Sequence, residues 1–447
     1  MFRRMIFVLV MMLVVSGVSA VQAGEGDAIL KILLKKGVIT EQEYKAIKEE
    51  LKAEPQKTQL KEEIKKEVMD EVAKKNEEAK KNDEGLHEWT KRIKLSGLLE
   101  GEYRWKKYRD ISDKNSDSTS DLYIRRLELG LDAELTDWIK ANTVLNSEWI
   151  GDSVNNGDEK ITADQATITL QKEDFPLYLV LGKRPQPFGV FENHLVTDPM
   201  TQDAYETKKV GITAGFTGPL DLDVSATVYK GEEQMDHLVA SGLFEVTRDG
   251  ATGNDVGSYI LSASVSPVKD HLNFFLSYLS EPGRGSRNDT ASLGISAGIP
   301  GLKNLRLDSE YMKALKRERY LGFNEAFKEG VFSLTGSYVF NTRERHEKIG
   351  GAELKEQKAH VSEEPIELAL RFEHFDDDGL AEKTSSWSAE NRYSAGARYS
   401  FYHDEKKDVT AYVGTEFRYT NYRLHSSVVN TRADNNKELF LKLGLSF

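Results

Sequence analysis

The chain ends on "ELFLKLGLSF", residues 438–447. Successive side chains of a β-strand point to opposite sides, so Leu439, Leu441, Leu443, Leu445 and Phe447 share one face, while Glu438, Lys442, Gly444 and Ser446 share the other. The same alternation recurs upstream. Leu127, Leu129, Leu131, Ala133 and Leu135 oppose Glu128, Asp132 and Glu134; Leu220, Leu222, Val224, Ala226 and Val228 oppose Asp221, Asp223, Ser225 and Thr227. Ala291 to Ile299 and Ile366 to Phe372 repeat it. A period of two with a sustained polar second face suits a sheet that has lipid on one side and water on the other. A soluble sandwich has the same period, so the alternation alone does not decide between them.

The connections separate the two. About sixteen strands can be counted, the first near Lys94 and the last near Glu438. Tight turns follow every second strand, at 136–137, 172–174, 217–219, 267–270, 300–301 and 403–408. Between them lie long polar stretches such as "RDISDKNSDSTSD" from Arg109 and the run from Gly231 to Asp255. This short-long rhythm with an even strand count is that of an outer-membrane barrel. The expected fold is therefore all-β: a closed antiparallel outer-membrane β-barrel of about sixteen strands over residues 90–447. One connection, 341–365, is long where a short turn is due, which means either an extra element at that end or a shifted phase. The terminal Phe447 resembles the C-terminal signal read by the barrel assembly machinery.

Residues 1–23 read as a secretory signal peptide, with Arg3 and Arg4, an apolar run from Ile6 to Val15, and small residues before Gly24. The chain has no cysteine, hence no disulfide and no lipid anchor. Past the signal no apolar run is long enough for a transmembrane helix. Residues 24–89 are expected to be helical and periplasmic. Ile29, Leu30, Leu33 and Leu34 are at helical spacing, Gly37 is a stop, and Thr40 to Glu43 form a capping box opening a second helix. Leu60, Ile64, Val68 and Val72 make a stripe suited to a short coiled coil or a solvated linker. A trimeric stalk would make the protein a homotrimer, and peptidoglycan contact is another use of such a segment.

The alternation is interrupted once, by "KRPQPFGVFENHLVTDPMTQDAYE" at 183–206. Pro185, Pro187 and Pro199 prevent strand pairing. Phe188 and Phe191 can pack the segment onto an inner wall, leaving Glu192, Asp198, Asp203 and Glu206 to face water. Counted from the strands, it is the third long loop, the one that folds inward in general porins. Gly182, Lys183, Phe188, Gly189, Phe191, Glu192, His194, Asp198, Pro199, Thr201, Glu206 and Thr207 resemble the signature of the legiobactin-receptor (LbtU) family of siderophore porins. Tyr205 stands where that pattern has a glycine. The resemblance implies outer-membrane passage of an iron-siderophore. The expected constriction runs from Arg184 to Glu206, with Arg184, Phe188, Phe191, Glu192, His194, Asp198, Asp203 and Glu206 along the solute path beside Lys209, Arg306, Arg371, Arg398 and Arg418 of the wall.

Catalysis finds no support: no phosphate loop, zinc motif or nucleophile elbow is present. An outer-membrane hydrolase is the rival from another class. No cofactor or metal is expected; His194 beside Glu192 and "EHFDDDG" at 373–379 lack the full ligand spacing. The formal net charge is −12, most of it after residue 89, which speaks against a nucleic-acid partner. The expected lumen mixes Arg104 and the cations above with Glu100, Glu128, Asp221, Asp223, Asp308, Glu310, Glu373 and Glu416. That mixture argues against strong anion selectivity. An energised receptor would need about 22 strands and a plug, so passive or facilitated diffusion of a small solute is expected, with outer-membrane lipid as the surroundings. That solute is an iron-siderophore, as the resemblance implies, or, as the alternative, any of the small hydrophilic solutes of a general or phosphate/anion-type porin.

Overall fold

The computed structural model describes residues 90–110, 118–152, 160–231, 243, 256–269, 271–283, 286–299, 301–302, 304–319, 326–342, 364–404, 408–429 and 433–447, with isolated positions between 31 and 45. The chain divides into two units, Met1–His87 and Glu88–Phe447. In the first, the Tyr44 N–H donates to the Thr40 carbonyl at 2.9 Å, a helical turn where the capping pattern expects one. The signal peptide and the stripe from Leu60 to Val72 lie outside the described residues. No helix among the described residues is long and apolar enough to cross a membrane.

The second unit is a barrel of sixteen strands: β1 (Ile93–Asp110), β2 (Ser118–Thr136), β3 (Ile139–Ile150), β4 (Thr162–Gln171), β5 (Leu177–Pro185), β6 (Lys208–Gly218), β7 (Leu222–Lys230), β8 (Val256–Val268), β9 (Leu272–Pro282), β10 (Arg287–Gly298), β11 (Leu305–Lys316), β12 (Gly330–Thr342), β13 (Glu364–Asp376), β14 (Trp387–Asp404), β15 (Val409–Leu424) and β16 (Ala433–Ser446). Short helices α1 (Met200–Tyr205) and α2 (Leu380–Lys383) lie in connections. Each strand pairs with its neighbours in sequence, and β1 closes on β16. Closure leaves no strand edge unpaired, as hydrocarbon surroundings require. At the seam Gly97 and Phe447 exchange both backbone hydrogen bonds, at 2.8 and 3.0 Å. The Phe447 ring occupies the space a side chain at Gly97 would need.

The two faces settle what the alternation left open. Leucines 127, 129 and 131 on β2, 177, 179 and 181 on β5, and 441, 443 and 445 on β16 are exposed on the outside. Thr213, Ser225, Thr227, Ser262, Ser277, Ser292, Ser333 and Thr335 are buried inside. A water-soluble sheet does the reverse; this one is built for lipid outside and a polar lumen within. Aromatic rings continue around the outer surface, with Phe372 at 6.3 Å from Phe332 and 5.3 Å from Tyr393 between centroids.

Several strands overrun their expected limits. β2 begins at Ser118 and β16 at Ala433, because backbone pairing continues above the lipid belt, where no apolar face is needed. Around the long 341–365 connection the order β11-β12-β13-β14 is unbroken, so the phase is intact and the irregularity is an insertion at a short-turn position; 343–363 lie outside the described residues. Asp221 is corrected: it sits in the β6–β7 turn at φ 51°, exposed, since β6 stops at Gly218. The "DDDG" run is a turn as well. Asp377 accepts the N–H groups of Gly379 and Ala381 at the start of α2 and pairs with Arg423.

Candidate functional site

Residues 186–207 join β5 to β6 and follow a path across the barrel. Gln186 closes the loop's base: its backbone N–H donates to the Thr207 carbonyl at 2.8 Å and its Nε2 to the Lys209 carbonyl at 2.6 Å. From there the chain leaves its own strands. The Val190 N–H donates to Glu310 of β11 at 2.7 Å. Thr197 donates to Glu416 of β15 through its N–H at 2.7 Å and its hydroxyl at 2.8 Å. The Met200 N–H meets Glu373 of β13, and the Tyr205 hydroxyl donates to Glu329 at 2.9 Å. In a ring of sixteen strands β13 lies halfway round from β5, so the loop spans the lumen.

Apolar packing fixes the same path. Phe188, Met200, Ala204 and Tyr205 are fully buried in a core inside the barrel with Ile260, Leu279, Met312, Val331 and Phe375, and Phe191 packs against it. The Phe188 and Tyr205 rings meet edge to face, 6.1 Å apart. Wall glycines make room for the crossing chain: a Cβ at Gly294, Gly396 or Gly414 would stand 3.1, 2.7 or 3.1 Å from Val190, Leu195 or Val196. Gly182 (φ 133°) and Gly189 (φ 86°) occupy backbone conformations that L side chains rarely adopt, which is why the segment carries glycine at those two points.

His194 is the loop's ionic tether. Its ring nitrogens lie 2.9 Å from Asp308 of β11 and 2.6 Å from Glu367 of β13. The hydrogen bond to Asp308, then that to Glu367, push its pKa up to about 9, so it is a cation at neutral pH.

Between the loop and the wall remains a cavity of about 360 Å³. Asn193 to Asp198, with Asp203, form its loop side. The facing wall is strongly basic. Arg104 and Arg418 flank Phe440 and share Glu438, at 2.7 and 2.5 Å. Arg125 lies over Trp149 at 4.0 Å and pairs with Glu148 at 3.2 Å. Arg126 is 3.5 Å from Glu148, and Lys442 is 3.3 Å from Glu100. Arg392 takes Asp203 of the loop at 2.9 Å. Arg398 lies over the Tyr412 ring at 3.9 Å.

Solved structures with this architecture include the outer membrane channel DcaP of Acinetobacter baumannii, at TM-score 0.50 and 10% identity over 79% of this chain and 97% of that one. Salmonella typhi OmpF, in complex with daunomycin, gives 0.50 and 12% over the same shares. The fold is that of an outer-membrane porin. An anion-selective porin from Comamonas acidovorans is also similar, at 0.48 and 14% over 79% of this chain and 99% of that one. No family model and no curated protein sequence matches the chain.

Several expected path residues sit elsewhere. Arg371 is corrected: its side chain is 0% exposed, covered by the loop, and donates to the Thr197 and Asp198 carbonyls at 2.8 and 3.3 Å. It anchors the loop and does not line the cavity. Phe188 is buried in the inner core, packing the loop onto the wall as expected of its aromatic ring, and does not line the cavity. Arg184 donates to Thr213 at 3.1 Å, and neither it nor Lys209 lines the cavity. Glu206 lies 3.7 Å from Lys208, and Asp203 is held by Arg392, so these acids face cations where water was expected. Glu192 meets Arg306 at 3.3 Å at the other side of the loop. Tyr205, the departure from the family pattern, fills the inner core. His194, Asp198, Asp203, Arg398 and Arg418 do meet at the cavity.

Arg125, Arg126, Arg392, Tyr412 and Phe440 escaped the sequence reading. A register shift at Glu100/Gly101 gives β2 an extra residue opposite β1, bringing both adjacent arginines to the cavity against strict alternation. Lys442, by contrast, was legible as an inward position between Leu441 and Leu443.

Proposed function

We propose that this chain is a porin through which small hydrophilic solutes diffuse passively across the outer membrane, with the loop 186–207 setting what passes. One observation carries the reading: the loop is bonded across the lumen to β11, β13 and β15, leaving a passage with loop carboxylates on one side and arginines on the other. Fixed charges of both signs at close range act on a solute with little screening. Planar-bilayer recording tests it. Stable single-channel conductance that rises on shortening the loop is expected, and a purified, inserted protein that does not conduct refutes it.

The narrower reading is that the solute includes an iron-siderophore. It rests on the resemblance of residues 182–207, and the arginine wall suits a chelate bearing carboxylates. Proteoliposome uptake of ferric siderophores, compared with a neutral sugar of similar size, decides it. Uptake no faster than the sugar removes the siderophore and leaves the porin.

A further inference from the structure

Most cations at the cavity are paired with a neighbouring carboxylate: Arg104 and Arg418 with Glu438, Arg125 with Glu148, Arg392 with Asp203, Lys442 with Glu100. Arg398 differs. Among the described residues its guanidinium meets the face of Tyr412 and no carboxylate. The strand register makes this unexpected, because the residue directly opposite Arg398 on β13 is Glu367, and cross-strand neighbours of opposite charge ordinarily pair. On β15 the opposite residue is Gly414, which has no side chain to offer.

Glu367 is engaged elsewhere. His194 of the loop takes its Oε1 at 2.6 Å while holding Asp308 at 2.9 Å. The platform beneath Arg398 is equally fixed: the Tyr412 hydroxyl donates to Glu100 and its ring fills the space above Gly444. Neither of the two loop acids that line the cavity reaches it, since Asp203 is on Arg392 and Asp198 lies 3.9 Å from Arg125. A guanidinium held by stacking, with its planar fork of N–H donors open to the cavity, is complementary to a carboxylate or phosphate group. We propose that the loop histidine, by drawing Glu367 away, keeps Arg398 open as a binding site for one oxyanion group of the passing solute. The proposal rests on the porin reading and adds a stepping point within the passage.

The test is block of chloride current in planar bilayers at neutral pH by potassium succinate or inorganic phosphate, in full-length protein whose folded barrel is verified by its gel shift on boiling. Wild type should be blocked by one or both anions; block by succinate alone assigns a carboxylate subsite, block by phosphate alone a phosphate subsite. R398Q should raise the half-blocking concentration about tenfold, the weight of one charge-assisted hydrogen-bonding partner. H194Q should raise it similarly although Arg398 is present, because Glu367 returns to it, and H194Q/E367Q should restore the wild-type value. R398Q/E367Q keeps the wild-type charge count without the arginine and should stay weakly blocked; wild-type block in that variant would show that net charge alone is at work and overturn the proposal. Equal block in wild type and R398Q, or no block by either anion, overturns it too. A wild-type protein that does not conduct overturns the porin reading instead.

Discussion

Raising the pH should loosen the loop at one identifiable point. His194 has a pKa of about 9 between Asp308 and Glu367, against an ordinary value of 6.5. At 1.36 kcal/mol per unit the tether is worth about 3 kcal/mol, about three hundredfold in the docking equilibrium of this crossing. The folded-state value is raised, so the contribution is fully present below about pH 6.5 and is lost as the pH rises through about 9. Glu310, Glu373 and Glu416 still hold Val190, Met200 and Thr197, which confines the loosening to residues near 194. Single-channel conductance recorded from about pH 6 to about pH 10 should be steady at first, then become noisier and larger with a midpoint near 9. H194Q should show no such step. A flat wild-type profile, or a step retained in H194Q, would refute the reasoning.

Asp203→Asn should shift the reversal potential in a salt gradient toward anions, because it leaves Arg392 uncompensated at the cavity. Gly414→Val should push Val196 off the wall, since a Cβ there stands 3.1 Å from it and meets no backbone atom closer than 3.9 Å, and should raise conductance, seen as a larger unitary step with the barrel still resistant to detergent. Leu370→Arg, on the lipid face of β13, should lower refolding stability in bilayers by about 2–4 kcal/mol, measured by denaturant titration; an unchanged midpoint would contradict lipid exposure. Deleting residues 24–81 should leave a conducting barrel with altered oligomer stability or cell-wall attachment, read by native gel and peptidoglycan pull-down.

Much of the wall was legible in the linear chain because a strand's period of two is local: each inward or outward position follows from its neighbours. Strand count, turn rhythm, the lipid face and the one proline-broken loop all came from that periodicity, and so did Lys442 as an inward cation. Two things escaped it. The register shift at Glu100/Gly101 breaks the alternation and brings both Arg125 and Arg126 to the cavity. The pairing of charges depends on which strands the loop reaches after crossing the lumen. Arg371 looked like a lumen cation and is a buried anchor; Arg398 looked equivalent and is open, because His194, far away in sequence, binds the carboxylate opposite it. Local periodicity determines which side of the sheet a residue faces; only closure of the barrel and the descent of the loop decide which charge it meets there.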